Sequence, residues 1–398
     1  MPRTKDALKA DIQQRRPALI ELRRYFHQHP ELSFEERETA ATIAARLRNT
    51  GLDVTENVGG YGVVGLLRGT KDGGSDRTLL VRADIDALPV TEANDVPYKS
   101  QKLGIMHACG HDGHTAIALT LAELLFAQRD HLRGNVKFAF QPAEERVGGA
   151  EPMIRDGVLQ NPDVNAVIGL HLWSTLPVGT VGVQTGPIFA SADEVKIRVR
   201  GRGGHGAMPH LNVDPILIAA QILAALQTLV SREISPLHAG VVTIGAIHGG
   251  TAGNIIADEV EMIGTIRAYD QADREHLHLR VREVAQSIAS GMRGEARVEI
   301  GPGVRACDND PAITDLIRRA ADATVGASNV PRGDNRLPVS DDMALFLAAV
   351  PGSYFLVGAG NAERGITAPH HSARFDIDED SLSIGVEVLA RATLEYLK

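Results

Sequence analysis

The strongest constraint on the fold is a change of pattern partway along the chain. Up to about residue 186, helix-like and strand-like segments alternate. Residues 7–28 have the spacing of an amphipathic helix. Ser33-Phe34-Glu35-Glu36 reads as a capping box that opens a helix running to Gly51. The apolar runs TLLVRADI (78–85) and NVKFAFQP (135–142) are short enough for buried strands, and HTAIALTLAELLFAQ (114–128) between them is long enough for a helix. AVIGLHLW (166–173) and TVGVQTG (180–186) read as further strands. Strands separated by helices need crossover connections, so the expected fold is α/β: a mostly parallel sheet with helices on both faces.

From Gly186 the order is different. EVKIRVRG (194–201) has strand periodicity, and Asp214-Pro215 opens a long helix with Asp at the cap and Pro in the first turn. AGVVTIGAI (239–247) and EVEMIGTIRAY (259–269) follow as strands, then a helix over about 273–292, then ARVEIGPG (296–303). The order β-α-β-β-α-β is a ferredoxin-like α+β unit. The first pattern then resumes with PAITDLIRRAADATV, SYFLVGAG and a final helix from about Asp380. The expectation is one domain made of residues 1–186 and 303–398, with a second, 187–302, inserted into it. A length of 398 residues favours two domains over one.

Composition narrows the partners. The formal charge is −9 and no basic stripe is visible, so nucleic acid is not an expected ligand. No apolar run is read as reaching the roughly 18–20 residues of a membrane span. The opening MPRTKDALKADIQQRR lacks the apolar stretch of a signal peptide, and Cys109 and Cys307 do not make a secreted disulfide framework. A cytoplasmic protein is expected.

The chemistry concentrates in a few places. MHACGHDGH (106–114) packs three histidines, a cysteine and an aspartate into nine residues. Cys109 and His111 can converge on one ion if Gly110 permits an unusual turn; a polar loop or a buried thiol is the bland alternative. Glu144 and Glu145 follow the strand NVKFAFQP, where one carboxylate can ligate while the other faces a metal-bound water. His171 ends an apolar run, and His370-His371-Ser372 follows a strand and a Gly-rich loop. Asp84 and Asp86, spaced i, i+2, can bind a metal or orient a histidine. Most of these residues end or follow predicted strands, where open parallel sheets place their sites.

FHQHPELSFEE, RADIDALP, MHACGHDGH, QPAEE, GLHLW, GRGGHGAMPH, GTIRAYD and HHSARFDIDED, spread over residues 26–380, carry a family resemblance. The chain resembles the metal-dependent aminoacylase/carboxypeptidase clan. Within it, it resembles the hippurate hydrolase-like amidohydrolases that include plant auxin-conjugate hydrolases. The resemblance implies two divalent metal ions per subunit, a catalytic domain and an inserted lid and dimerisation domain. By position, it implies Cys109, His111, Glu145, His171 and His371 as metal ligands and Glu144 as general acid/base. Asp86 matches the second residue of the clan's His-x-Asp element; Asp84 stands at the first, which leaves its place as a ligand open. His205 matches a lid histidine that stabilises the oxyanion in a partner's site, and Asn254 and Arg267 match lid residues near the substrate carboxylate. Ala257 and Ala373 replace prolines common in relatives, and Asp341 replaces a glutamate; none removes an implied ligand.

The expected reaction is hydrolysis of N-acyl amino acids by a metal-activated water, in a homodimer, with Mn, Zn, Co or Ni as the ion. An Arg267 guanidinium suits a free carboxylate. Alternatives within the class are a metallo-carboxypeptidase or dipeptidase acting on short peptides, or an N-acetyl-diaminopimelate deacetylase. Outside it stand a cysteine hydrolase using Cys109 and a non-catalytic metal-binding relative.

Overall fold

A computed structural model describes residues 5–71 and 77–398. Residues 1–4 and 72–76, which belong to the first expected domain, lie outside the described residues. The chain forms two compact units, one of residues 1–188, 308–335 and 341–398, the other of 189–307 and 336–340.

The first unit is built on a seven-stranded mixed sheet in the spatial order Asp53–Glu56, Val63–Arg68, Asn135–Gln141, Thr78–Asp84, Ala166–Pro177, Gly352–Gly360, Val181–Gly182. The four strands from Asn135–Gln141 to Gly352–Gly360 run parallel, as the helical crossovers require. The outer pairings are antiparallel. The parallel core was legible as apolar runs; the antiparallel pair at one side of the sheet, Asp53–Glu56 at the edge and Val63–Arg68 next to it, was not anticipated. The helix His111–Phe126 is buried along nearly its whole length and packs against Lys5–Gln28 and Asp380–Tyr396. A helix apolar on every side belongs in an interior, not on a surface.

The register of two parallel strands sets the height of the histidines above the sheet. Thr78–Asp84 pairs with its parallel neighbour only as far as Arg82 opposite Gly169, while that neighbour continues to Pro177. His171 is therefore level with Asp84, the last residue of the shorter strand and two residues past its final pairing.

The capping box expected at Ser33–Glu36 does not form. The helix begins at Arg37 and receives no side-chain hydrogen bond from Glu36. The carboxylate of Glu31 instead accepts from the amides of Glu38 (3.2 Å) and Thr39 (2.8 Å). The stop at Gly51 is as expected, with φ 105° in the left-handed region that glycine tolerates.

The second unit has the β-α-β-β-α-β order. Its sheet runs Gly240–Gly249, Glu259–Ala268, Asp193–Arg200, Glu295–Ile300, all antiparallel, with the helices Pro215–Thr228 and Gln271–Gly291 packed on it. Asp214 caps the first helix by accepting from Ile216 and Leu217, as its sequence predicts. That helix continues through a π-helical turn to Glu233. The resulting 19 residues are apolar enough, by length and composition, to cross a membrane, which amends the expectation that no apolar run reaches that length. Ile218, Ala219, Ile222, Leu226 and Leu229 are buried in the unit's own core, which accounts for the apolar composition.

Candidate metal centre

The five ligands implied by the sequence resemblance converge in the first unit, each placed by a different local device. Gly110, at φ 94°, turns the chain between Cys109 and His111, and His111 is the first residue of its helix. Glu144 and Glu145 occupy a short 3-10 turn after the strand Asn135–Gln141, entered through Ala143 at φ 52° and left through Val147 at φ 48°. His371 itself sits at φ 64°. Three side-chain-bearing residues in the left-handed region around one cluster mark a site whose geometry is imposed by its surroundings.

Donor atoms meet at ligand-like separations. Cys109 Sγ is 3.6 Å from His171 Nε2, His371 Nε2 is 3.4 Å from Glu145 Oε1, and His111 Nε2 is 4.0 Å from both Glu144 Oε2 and Glu145 Oε1. Ligand atoms bound at about 2.0–2.3 Å to one ion stand about 3–4 Å apart. Two donor sets overlap on the thiol, Cys109 with His111 and His171, and Cys109 with Glu145 and His371.

Hydrogen bonds decide which imidazole nitrogens are available. His171 Nδ1 donates to the Leu172 carbonyl (2.8 Å) and His111 Nδ1 to the Asp86 carbonyl (2.9 Å), so each turns Nε2 into the cluster. Buried His111 Nε2 has no hydrogen-bond partner among the described residues. His114 is different: the Leu172 amide donates to its Nε2 (2.9 Å), so its proton lies on Nδ1 and goes to Asp84 Oδ1 (2.6 Å). With both nitrogens engaged, His114 holds Asp84 rather than an ion. The other Asp84 oxygen accepts from Arg82 Nη1 at 2.7 Å, so this carboxylate is committed to its neighbours.

Asp86 lies behind the donors. Its Oδ2 accepts from Ser33 Oγ (2.7 Å) and from the Glu145 amide (3.1 Å). It thereby orients Glu145 and, through its carbonyl, His111. His205 and Asn254 are both exposed in the second unit. They lie on a small ribbon where His205 pairs with Ile255 and Gly206 donates to the Asn254 carbonyl. His205 Nδ1 accepts from the Ala207 amide, which leaves Nε2 as the outward nitrogen. Arg267, in the strand Glu259–Ala268, is half-buried and donates to the Pro338 carbonyl at 3.2 Å.

The electrostatics favour a cation. Burial pushes the Cys109 thiol well up, and the carboxylates of Glu145, Glu144 and Asp84 push it further. A nucleophilic cysteine needs the opposite shift, so the cysteine-hydrolase alternative loses its main requirement. Burial, together with Asp341, Glu145 and Asp342, also raises Glu144 well above the usual carboxylate range. His111, which burial alone would lower, is pushed up to about 10 by Asp84, Asp86 and Glu145. Burial and the neighbouring His114 and His370 push His171 well down, leaving it a neutral donor. Crowded carboxylates, a neutral imidazole and a soft sulfur form a donor set that a divalent transition ion satisfies and a proton does so poorly.

Several supporting contacts could not be read from the sequence. Asp112 accepts from Arg23 Nε (2.8 Å) and lies 2.7 Å from His27 Nδ1, all three fully buried. Arg82, also buried, joins Asp84 to Asp341 and Asp342, each at 3.0 Å. His370 stacks on Trp173 with ring centroids 4.2 Å apart and donates to the Leu172 carbonyl (3.0 Å). His114 alone carried a local signal, since it lies i, i+3 from His111 on a helix.

The chain is similar to known proteins over most of its length. A family model described as peptidase family M20/M25/M40 matches residues 80–395. Thermostable carboxypeptidase 2 of Saccharolobus solfataricus is 40% identical over 98% of this chain and 97% of its own. N-acetyl-L-cysteine deacetylase of Bacillus subtilis is 40% identical over 92% of this chain and 84% of its own. Among solved structures, the Bacillus subtilis YXEP protein, a dinuclear metal binding peptidase, superposes with a TM-score of 0.83 at 33% identity, covering 97% of this chain and 99% of its own. With a family match across most of its length and a donor set to go with it, this chain is a metal-dependent hydrolase belonging to peptidase family M20/M25/M40.

Proposed function

We propose that this protein hydrolyses the amide bond of N-acyl amino acids. The observation that carries the reading is the pair of donor sets sharing Cys109, with Glu144 beside them. Cys109, His111, Glu145, His171 and His371 would hold two divalent ions, with Mn, Zn, Co and Ni all compatible with a sulfur, imidazole and carboxylate set. When bound, such ions polarise the scissile carbonyl and lower the pKa of water towards neutrality. Glu144, next in sequence to a ligand but free to face the substrate, takes the proton of the attacking water and returns it to the leaving nitrogen. Asp86 keeps His111 and Glu145 oriented while this happens. His205 would donate from Nε2 to the tetrahedral oxyanion, a contact typically worth about 3–4 kcal/mol in the transition state. Asn254 and Arg267 would receive the amino-acid carboxylate. The lid histidine's role in a partner's site makes the working form a homodimer joined through the second unit, in the cytoplasm.

The deacetylase and auxin-conjugate likenesses support an acyl amino acid. The carboxypeptidase relative favours a second reading, cleavage of short peptides at the C-terminal residue, which the same centre would perform with a peptidyl group in place of the acyl group. The test is turnover of hippurate, N-acetyl-methionine, indole-3-acetyl-alanine, N-acetyl-diaminopimelate and a dipeptide. Chelator-treated protein is compared with protein reloaded with each metal, and Glu144→Ala is the control. Expected is turnover restored by metal and reduced about 10²–10⁴-fold in the variant, highest on an acyl amino acid. Preference for the dipeptide selects the second reading. Stoichiometric metal binding with no turnover on any compound overturns both.

A further inference from the structure

The segment Ser33–Glu36 is released from helix capping because Glu31 performs it. Its polar atoms go to the acidic turn instead. Glu36 Oε1, on a fully buried side chain, accepts from the Ala143 amide at 2.8 Å, across 107 residues of sequence. Ser33 Oγ donates to Asp86 Oδ2 at 2.7 Å, and the same oxygen accepts from the Glu145 amide at 3.1 Å. Ala143 and Glu145 flank Glu144. One four-residue segment thus grips the backbone on both sides of Glu144, directly at one end and through Asp86 at the other.

The turn has reason to be gripped. Ala143 and Val147 both adopt left-handed backbone angles that their side chains disfavour. Phe34, at φ 69°, lays its ring against Gly148 so closely that a Cβ there would come within 2.5 Å. Without external partners, the turn would relax towards ordinary angles and carry the Glu144 carboxylate with it.

We propose that Glu36 and Ser33 are positioning residues for Glu144, clamping the Ala143–Glu145 turn by its two flanking amides. The proposal rests on the reading of Glu144 as the proton carrier. The grip needs an acceptor at Glu36 Oε1, not a charge. Glu36→Gln keeps an amide oxygen there, whereas Glu36→Leu removes it at similar volume.

The experiment compares both variants and Ser33→Ala with wild type, reloaded with Mn, for kcat, KM and metal content. Amide hydrogen exchange is followed over residues 140–148. For Glu36→Leu the expected result is kcat lower by about a hundredfold, KM and metal content near wild type, and faster exchange at Ala143. Glu36→Gln is expected to keep kcat and protection close to wild type, and Ser33→Ala to show a smaller loss with faster exchange at Glu145. If Glu36→Leu fails to fold, the contrast between Ser33→Ala and wild type decides. A folded Glu36→Leu protein with unchanged kcat, or with lost kcat but wild-type protection at Ala143, overturns the clamp. So does a Glu36→Gln protein as impaired as Glu36→Leu. Should wild type hydrolyse nothing, the proposed function fails by itself, and exchange at Ala143 still judges the clamp.

Discussion

Arg23, Arg82, Asp84, Asp86, His111, Asp112 and Glu144 are all buried in the first unit, whereas the interior of the second is made of residues such as Val195, Ile197, Ile222, Met262 and Val281. In the second unit the ion pairs lie at or near the surface, as with Arg198–Glu261 and Arg200–Glu259. The buried exception there, Asp193, is held through both oxygens by Arg274. Burying charge is costly unless every group is partnered, and replacing such groups by apolar ones is often neutral or stabilising. An interior chosen for stability alone would look like the second unit. The first accepts charge in its core because the strand ends must hold donors in fixed positions, and each donor needs a partner of its own behind it.

Substitutions at three positions can break or sharpen that contrast. Asp112→Ala removes the partner shared by Arg23 and His27, and although Asp376 and Glu92 still reach them, the first unit should lose up to about 3–5 kcal/mol, the largest loss of the set. Urea unfolding followed through Trp173, the sole tryptophan, reads this directly. The same pair sets an acid limit. Burial would raise Asp112, but Arg23 and His27 outweigh it and hold the carboxyl far below its usual range. A depressed folded-state pKa stabilises above the unfolded value of about 3.9 and is lost as pH falls through and below it. Wild-type stability should therefore fall more steeply between pH about 5 and 3 than that of Asp112→Asn; equal slopes would remove Asp112 from the acid response. In the second unit, Ile222→Ala should cost about 2–5 kcal/mol by leaving a cavity, seen in the circular dichroism transition, with metal affinity unchanged. A weakened metal affinity in that variant would show that the two interiors are not separate in function. Smallest of all, Arg200→Gln should leave the unfolding midpoint within scatter, because an exposed pair gains little over water.

The residue types of the candidate site were visible in the sequence because they lie where local rules apply, but their joint role as ligands was implied by the family resemblance and not by any one of these patterns. Cys109 and His111 straddle a glycine at a helix start, Glu144 and Glu145 follow a strand, and His171 lies in an apolar run. The parallel core of the sheet was legible for the same reason, as unbroken apolar segments. The rest depends on distance in sequence. Arg23 meets Asp112 across 89 residues and Arg82 meets Asp341 across 259, and no periodicity announces such pairs. Ser33–Glu36 misled in another way. Its residue types suit a cap, but Glu31 reaches the same amides from upstream, and a local pattern cannot show which of two competitors wins. The strands Asp53–Glu56 and Val63–Arg68 escaped notice because one is short and mostly exposed, and the other follows a glycine-rich turn.

The backbone of Leu172 meets three imidazoles: its carbonyl accepts from His171 and His370, and its amide donates to His114. All three proton positions are thereby read off the main chain, which every amino acid but proline supplies in full. Mutation at position 172 can alter packing while leaving the tautomers as they are. The apolar surroundings of Leu172 can then be reshaped while these three imidazoles, the candidate ligand His171 among them, keep their orientation.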